Sequence, residues 1–236
     1  MKKHIPNLFT SLNLFSGCIA SVMAFSGEYF WVVVWVIIAA VFDFFDGFMA
    51  RLLKAPSAIG KELDSLADMV SFGVAPSLVI FRYLSENTAT FSSVNAIAPY
   101  IPYVAFLIAV FSALRLAKFN IDERQTTSFI GLPTPANALF WISFIYGIHE
   151  RFAPSVLLSV IVIVLIIIFS FLMIAEIPMF SLKIKSLGLK GNELRYLLIV
   201  FIVTAVIFLN ILGLAAGMLF YIVLSLFSYL RTKENN

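Results

Sequence analysis

The chain has 236 residues, of which 61% are hydrophobic and only 12% are charged, and this composition excludes an ordinary soluble domain. Its formal net charge of +3 is small, and its basic residues form no stripe interleaved with aromatic ones, so nothing indicates nucleic-acid binding. The one cysteine, Cys18, cannot form an intramolecular disulfide. These features predict an all-α polytopic membrane bundle, folded as a single integral membrane domain over residues 1–236.

Stretches of about 20 apolar residues, the length that crosses a bilayer as a helix, recur along the chain. They predict about eight transmembrane helices, of which the fifth and the seventh are short. The predicted spans lie near residues 7–26, 29–52, 61–84, 97–118, 134–149, 153–174, 195–210 and 212–231.

The basic residues flank these spans asymmetrically. If the N-terminus is cytoplasmic, every Lys and Arg except Arg82 and Arg151 falls on the cytoplasmic side. The positive-inside rule therefore predicts that both termini face the cytoplasm and that the protein lies in the cell membrane. This orientation also puts a polar stretch, residues 43–68, at the cytoplasmic ends of the second and third spans.

The first predicted helix is apolar except for a few polar residues, among them Asn7, Thr10 and Asn13 at three-residue spacing. Side chains three or four apart share one face of a helix, so these three form a polar stripe. Two interpretations are open. The stripe could hydrogen-bond to other helices of the bundle, or it could line a binding site.

Four aspartates define the polar stretch between the second and third spans. Asp43 and Asp46 are three residues apart, and Asp64 and Asp68 are four apart, so each pair shares a helix face. Two helices joined by a short loop can bring all four carboxylates to one place, where they would repel one another unless a cation bound them. Hard oxygen ligands suit Mg²⁺ or Mn²⁺, and the pattern therefore indicates a metal site. Ion pairing or an oligomer contact is a weaker interpretation, because few basic residues lie nearby.

Small residues and an arginine accompany the aspartates: Gly47, Ala50 and Arg51 share the face of the first pair, and Gly60 shares that of the second. The whole pattern is D-x2-D-G-x2-A-R-x8-G-x3-D-x3-D. It resembles, with no position missing, the motif of the CDP-alcohol phosphotransferases. The resemblance implies an integral membrane enzyme in which an alcohol attacks a CDP-activated phosphoryl group and CMP is released.

This resemblance also implies an architecture and metal chemistry. A six-helix catalytic core would occupy about residues 1–175, and extra C-terminal helices about residues 195–231, whose role the sequence does not explain. Two divalent cations, Mg²⁺ or Mn²⁺, would be held by the four aspartates, and the protein would form a homodimer. The metal ligands would be Asp43, Asp46, Asp64 and Asp68, the last serving also as the general base.

The resemblance further implies a nucleotide-binding side of the site. Gly47, Ala50 and Gly60 would let the nucleotide lie against the backbone, and Arg51 would bind phosphate. A Pro-Asn-x-x-Thr opening similar to that of the family, here Asn7 and Thr10 after Pro6, would line the same side.

The segments flanking the aspartates resemble one branch of the family, the phosphatidylserine synthases. They are GKELDSLADMVSFGVAP at 60–76, FSALRLAKFN at 111–120, FIGLPTPANA at 129–138 and, more weakly, EIPMFSLK at 176–183. The branch implies transfer of a phosphatidyl group from CDP-diacylglycerol to L-serine. Whether the lipid carries ester-linked or ether-linked chains stays open.

The serine carboxylate calls for a cation, and Arg115 and Lys118 lie at the cytoplasmic end of the fourth span with Asn120 beside them. Both cations could instead serve only as membrane-surface anchors. Ser65 and Ser71 flank Asp68 and could bind the acceptor, or could bond the helix backbone. Gly131 and the prolines after it, Pro133 and Pro135, predict a rigid turn before the fifth span, and this loop could also border the acceptor pocket.

Two rival functions follow from the same residues. A sister enzyme would use glycerol 3-phosphate or inositol phosphate as the acceptor, but its phosphate would require basic residues beyond those near the motif. An ion or metal transporter would use the carboxylates as a pathway across the membrane, but they cluster at one edge. The spacing therefore favours the transferase.

Overall fold

The computed structural model describes residues 4–54, 57–89, 96–122, 129–180, 188 and 192–234. Within these ranges the chain forms a bundle of helices, which confirms the predicted all-α membrane fold. The helices are α1 (His4–Ser26), α2 (Tyr29–Leu52), α3 (Ala58–Glu86), α4 (Ala98–Ile121), α5 (Thr134–Arg151), α6 (Val156–Ile174), α7 (Glu193–Leu209) and α8 (Leu212–Glu234).

Six of these eight helices are long and apolar enough to cross a membrane, and α5 and α7 are the two that are not. They are the two spans expected to be short. At a rise of about 1.5 Å per residue, the 17 residues of α7 fall short of a hydrocarbon core that is about 30 Å thick. Most of α5 is buried inside the bundle, so its sequence need not be apolar towards lipid.

A short antiparallel pair of strands links the segments around α5 and α6. It pairs β1 (Phe129–Ile130) with β2 (Pro178–Met179). The turn after β1 needs Gly131, since its φ is +76° and an added Cβ would lie 2.3 Å from the carbonyl oxygen of Met173. The Gly-Leu-Pro segment is therefore a rigid turn that fastens the start of α5 to the end of α6.

The centre of α3 departs from α-helical geometry directly after Asp68. Residues Met69–Val74 form a π-helical turn between two α-helical parts, Ala58–Asp68 and Ala75–Glu86. Pro76 contributes to this departure because it has no N–H to donate to the carbonyl of Phe72, four residues earlier. Turns of this kind occur mostly as single insertions in α-helices and often at functional sites.

The core lies where α5 meets α3, α6 and α8. The Phe140 ring stacks on Phe169 of α6 with centroids 4.1 Å apart, and Trp141 meets the same ring edge-on at 5.6 Å. All three side chains are buried. This aromatic packing holds the middle of the bundle together.

The connectivity of α1 to α4 brings four helix ends together. The chain enters α1, leaves α2, enters α3 and leaves α4 at the same end of the bundle, because successive helices are antiparallel. The opposite end carries a separate network, in which Glu86 accepts hydrogen bonds from Tyr29 (2.6 Å) and Arg82 (2.7 Å). The aspartate motif lies entirely at the first end.

Candidate functional site

Three of the four predicted carboxylates meet at this end of the bundle. Asp43 comes from the last turns of α2, and Asp64 and Asp68 come from one face of the first part of α3. Each offers a carboxylate oxygen, and these atoms all lie within 4.8 Å of one another. Three of the four aspartates that were predicted as metal ligands therefore lie close together, and the spacing of four residues places two of them, Asp64 and Asp68, on one face of α3.

The electrostatics of the cluster favour a bound cation. Asp68 is buried and repelled by both Asp43 and Asp64. Oδ1 of Asp64 is also buried, and no described residue forms a hydrogen bond with it. A buried oxygen without a partner is costly, and closely spaced carboxylates add repulsion. A hard divalent ion would relieve both costs, so the donor set fits Mg²⁺ or Mn²⁺.

The fourth aspartate, Asp46, lies beside the cluster and is held by the first helix. Its Oδ2 accepts a hydrogen bond of 2.7 Å from Thr10, whose hydroxyl also contacts the carbonyl of Pro6. Both Asp46 and Thr10 are buried. Thr10 thus fixes one oxygen of Asp46, and the carboxylate forms part of the wall of an adjacent cavity.

Asn13 is the third residue of the polar stripe of α1 and was not among the residues predicted for the nucleotide side. Its side-chain amide donates a hydrogen bond of 3.1 Å to Oδ1 of Asp68, and its backbone carbonyl accepts one of 3.0 Å from Ser71. The stripe of α1 therefore bonds to other helices of the bundle, and its partners include two of the aspartates. The equal spacing of Asn7, Thr10 and Asn13 was the available indication.

A close contact between α1 and α3 supports this arrangement. An added Cβ on Gly17 would lie 2.2 Å from Oγ of Ser71 and 2.8 Å from its Cα. Only glycine lets the two helices approach this closely. The contact occurs within the π-helical turn and fixes the position of the segment that follows Asp68.

A cavity of about 240 Å³ opens beside the carboxylates, between the starts of α1 and α3 and the end of α2. Five of the six residues predicted for the nucleotide side line it. The lining residues are Asn7, Thr10, Gly47, Ala50 and Gly60, together with Pro6, Asp46, Ser57, Lys61 and Asp64.

The sixth predicted nucleotide residue, Arg51, is exposed next to this cavity. An added Cβ on Gly47 would lie 3.5 Å from its Nη1, and its charge acts on Asp46. Gly60 is packed more tightly, since its Cβ would lie 3.0 Å from Oδ1 of Asn7. Its backbone N–H donates to Ser57, which caps the start of α3. Small residues thus keep the cavity open where the sequence predicted close approach.

Arg115 lies on α4 and is not among the residues that line this cavity. Its side chain is buried, 6% exposed, and its guanidinium is within electrostatic range of Asp68. The Phe119 ring lies 5.8 Å from its Cζ, within the range of a cation–π contact. Its Nε is buried, and no described residue accepts a hydrogen bond from it. A buried cation with an unused donor, within electrostatic range of Asp68, is suited to bind an anionic group.

The other predicted acceptor residues have structural partners. Lys118 contacts the carbonyl of Ile174 at 3.4 Å and Glu176 at 3.7 Å, so it points towards the end of α6. Ser65 accepts a hydrogen bond of 2.8 Å from Asn120, which ties α3 to α4. Ser71 is buried against α1, as described above.

A hydrogen bond joins the wall of the cavity to the end of α4. The carbonyl of Asn120 accepts a hydrogen bond of 2.9 Å from Lys61, which lines the cavity. The basic residue Lys61 was not predicted as a ligand. Of the EIPMFSLK segment at 176–183, residues 181–183 lie outside the described residues.

Several known proteins that are similar to this chain share one name. A CDP-diacylglycerol--serine O-phosphatidyltransferase of Helicobacter pylori strain J99 is 39% identical over 137 residues, which are 57% of this chain and 54% of the relative. Proteins of the same name from Methanocaldococcus jannaschii and Bacillus subtilis are 34% and 35% identical, over 65% and 61% of this chain and 66% and 77% of their own lengths.

The matched region thus spans about half the length of the Helicobacter relative. A family model gives a longer match. The model described as CDP-alcohol phosphatidyltransferase matches residues 3–223, a range that includes the carboxylate cluster, the cavity and most of α8. This chain belongs to the CDP-alcohol phosphatidyltransferase family.

Proposed function

We propose that this protein transfers the phosphatidyl group of CDP-diacylglycerol, or of an ether-lipid analogue, to the hydroxyl of L-serine and releases CMP. The observation that carries the proposal is the position of Asp43, Asp64 and Asp68 within 4.8 Å of one another, directly beside a cavity lined by the nucleotide-side residues. Serine as the acceptor is supported by the name that the relatives share. The buried Arg115 next to Asp68 supplies a matching cation.

The cavity would bind the cytidine of CDP-diacylglycerol, and the carboxylates would bind its pyrophosphate through metal ions. Cytidine would lie against Gly47, Ala50 and Gly60, where small residues admit it, and Arg51 and Lys61 would face its phosphates. Asp43, Asp64 and Asp68, with Asp46 beside them, would hold the divalent cations, Mg²⁺ or Mn²⁺ and two in number. When bound, such ions neutralise the charge of the pyrophosphate.

The acceptor would approach from the side of Arg115. The guanidinium binds the serine carboxylate and directs the hydroxyl towards Asp68. Asp68 takes the hydroxyl proton as the serine oxygen forms a bond to the lipid-side phosphorus, and the bond from that phosphorus to the CMP oxygen breaks with its electron pair. Asn13 holds Asp68 in place for this step through its amide.

The orientation in the membrane follows from the distribution of charge. Both termini would be cytoplasmic and the site would open at the cytoplasmic face of the cell membrane, where serine and CMP are available. The protein would act as a homodimer, as the family resemblance implies. Its hydrophobic surface towards lipid includes exposed aromatic side chains of α2, such as Phe44 and Phe48.

The test is CMP release by the purified protein in detergent with CDP-diacylglycerol and Mg²⁺ or Mn²⁺. L-serine, glycerol 3-phosphate and inositol 1-phosphate are added singly. Release with serine alone is expected, and it is expected to fail in the Asp68→Asn variant. Release of CMP with another acceptor instead of serine would make that compound the acceptor in the proposed reaction. Full activity of the Asp68→Asn variant would refute the role of Asp68 as the general base.

A sister enzyme that uses a phosphorylated acceptor remains the alternative within the family. Its acceptor phosphate would need several cations on the side of Arg115. Among the described residues, Lys118 on that helix is engaged with α6. The structure therefore supports a carboxylate there better than a phosphate. A transporter is less favoured, because Asp43, Asp64 and Asp68 lie at one end of the bundle.

A further inference from the structure

Among the described residues that line the cavity, Lys61 is the one basic residue. Its ammonium donates a hydrogen bond of 2.9 Å to the backbone carbonyl of Asn120, in the last turn of α4. The carbonyls of a last helical turn have no partner within their own helix and carry partial negative charge, so they attract a cation. An ammonium has three N–H groups, and two of them therefore remain for a ligand.

The side chain of Asn120 forms a second link between α4 and α3. Its amide donates a hydrogen bond of 2.8 Å to Oγ of Ser65, and the Ser65 hydroxyl donates to the carbonyl of Lys61 at 3.3 Å. Asn120 is thus bonded to two residues that lie one turn apart on α3, once through its backbone and once through its side chain. This bridge of Lys61, Ser65 and Asn120 fixes the direction of the lysine side chain.

The bridge also keeps the ammonium from pairing with the carboxylates. Spacings of three and seven residues put Lys61 on the same face of α3 as Asp64 and Asp68. Within the described part of the chain, however, no ion pair joins Lys61 to either aspartate, and its ammonium is bonded to α4 instead. A lysine paired with these carboxylates would compete with divalent cations for them. Bonded to α4, it leaves their oxygens to the metal and adds positive charge to the wall of the cavity.

We propose that Lys61 binds the phosphate attached to the cytidine of the donor, and that Asn120 is the positioning residue that directs its ammonium to this phosphate. Lys61 directly follows Gly60, against which cytidine would lie, so the phosphate next to cytidine is the one within its reach. This inference rests on the proposed function, in which the cavity holds the nucleotide. It assigns the phosphate to a residue at a position that the aspartate motif leaves open, and it gives the last turn of α4 a part in donor binding.

Nucleotide binding tests this assignment without the reaction. The Kd of CMP and the Kd of cytidine, which lacks the phosphate, are measured by equilibrium dialysis of the purified protein with Mg²⁺. In Lys61→Met the Kd of CMP should rise about 10- to 100-fold, the loss of a charged hydrogen bond, while the Kd of cytidine stays within about twofold. An unchanged Kd of CMP in Lys61→Met, or an equal rise for both ligands, would refute the proposal.

Lys54→Met is the matched control for this measurement. It makes the same change at an exposed lysine that does not line the cavity. Both Kd values should equal those of the wild type. A loss of CMP affinity as large as that of Lys61→Met would mean that general positive charge, and not the position of Lys61, attracts the phosphate.

Asn120→Ala tests the positioning role, because it keeps the backbone carbonyl and removes the amide that bonds Ser65. We expect the Kd of CMP to rise about two- to fivefold, the effect of one neutral hydrogen bond, with the Kd of cytidine unchanged. In a Lys61→Met background the same substitution should add nothing, since its effect on CMP passes through the lysine. A merely structural effect would weaken cytidine binding as well or persist without the lysine, and either result would overturn the role of Asn120.

The same measurements separate this inference from the proposed function. If the wild type binds CMP and Lys61→Met binds it equally well, only the role of Lys61 fails. If the folded wild type binds neither CMP nor cytidine, the assignment of the cavity to a nucleotide fails, and the proposed function fails with it. Thermal unfolding shows that each protein is folded, and the identity of the acceptor does not affect either result.

Discussion

The side-chain amide of Asn13 donates a hydrogen bond of 3.1 Å to Oδ1 of Asp68, across the interface between α1 and α3. Asn13 is completely buried. A carboxylate that is both a metal ligand and a base must keep one orientation, and hydrogen bonds from outside the ligand set commonly supply it. The first helix therefore takes part in the site through a residue whose amide holds Asp68.

Replacing Asn13 by Ala is expected to lower kcat for CMP release about 10- to 100-fold, the usual effect of losing such a supporting bond. The KM for L-serine should change little, since Arg115 is untouched. Ser11→Ala is the control on the same helix, because the Ser11 hydroxyl donates to the carbonyl of Asn7 within α1. A wild-type kcat in Asn13→Ala would show that Asp68 does not depend on this bond.

Asp64→Asn is expected to change stability in opposite directions with and without metal. In chelator the variant should be more stable than the wild type, because one of three mutually repelling carboxylates has become neutral. With Mg²⁺ or Mn²⁺ at 100 times its Kd, the wild type should gain about 2.7 kcal/mol and the variant less. Thermal unfolding in detergent measures both effects.

The control for this metal experiment is Glu62→Gln, which neutralises an exposed carboxylate on the same helix. It should respond to metal as the wild type does. An unfolding temperature of the wild type that is the same in chelator and in excess Mg²⁺ or Mn²⁺ would contradict the proposed metal site.

Arg115 and Lys118 carry the same charge on the same helix, yet they should differ in their effect on the acceptor. Arg115→Met is expected to raise the KM for L-serine about 10- to 100-fold, the loss of a charged hydrogen bond. Lys118→Met should leave it within twofold, because Lys118 pairs with Glu176 at the end of α6. Initial rates at varied serine concentration measure the KM of each variant. Equal increases in KM in the two variants would refute the role of Arg115 as the cation that binds the serine carboxylate.

Gly17→Ala is expected to destabilise the protein by up to about 2 kcal/mol. Alanine favours a helix over glycine by about 1 kcal/mol, but its Cβ would lie 2.2 Å from Oγ of Ser71, and overpacking costs about 1–3 kcal/mol. The variant should also lose kcat, since α3 is displaced next to Asp68. In Gly188→Ala the added Cβ meets nothing within 4 Å among the described residues, and this control should keep wild-type stability.

The parts of the site that depend on helical spacing could be predicted from the sequence. Spacing within a helix predicts which face carries Asp43 and which face carries Asp64 and Asp68. The runs of apolar residues predicted the eight helices. Contacts between helices could not be predicted in the same way. Spacing shows that Asn13 shares a face with Thr10, but not that Asp68 lies opposite.

The acceptor side shows the same limit. Arg115 and Lys118 are both basic residues, and the sequence does not separate their surroundings. The packing of α4 brings Arg115 within electrostatic range of Asp68 and directs Lys118 towards the end of α6.

The π-helical turn after Asp68 rotates the second half of α3 about the helix axis relative to the first half. Each bond in such a turn spans one residue more than in an α-helix, so the residues beyond it are rotated by about 100° relative to an uninterrupted helix. Before the turn one face offers Asp64 and Asp68 to the site, and after it the rotated face buries Ile80 in the core. Removing one residue from Met69–Val74 would give a more regular helix. Such a helix could no longer direct Asp64 and Asp68 to the site and also bury Ile80 in the core. The irregular turn is what lets a single helix serve a charged site and an apolar interior.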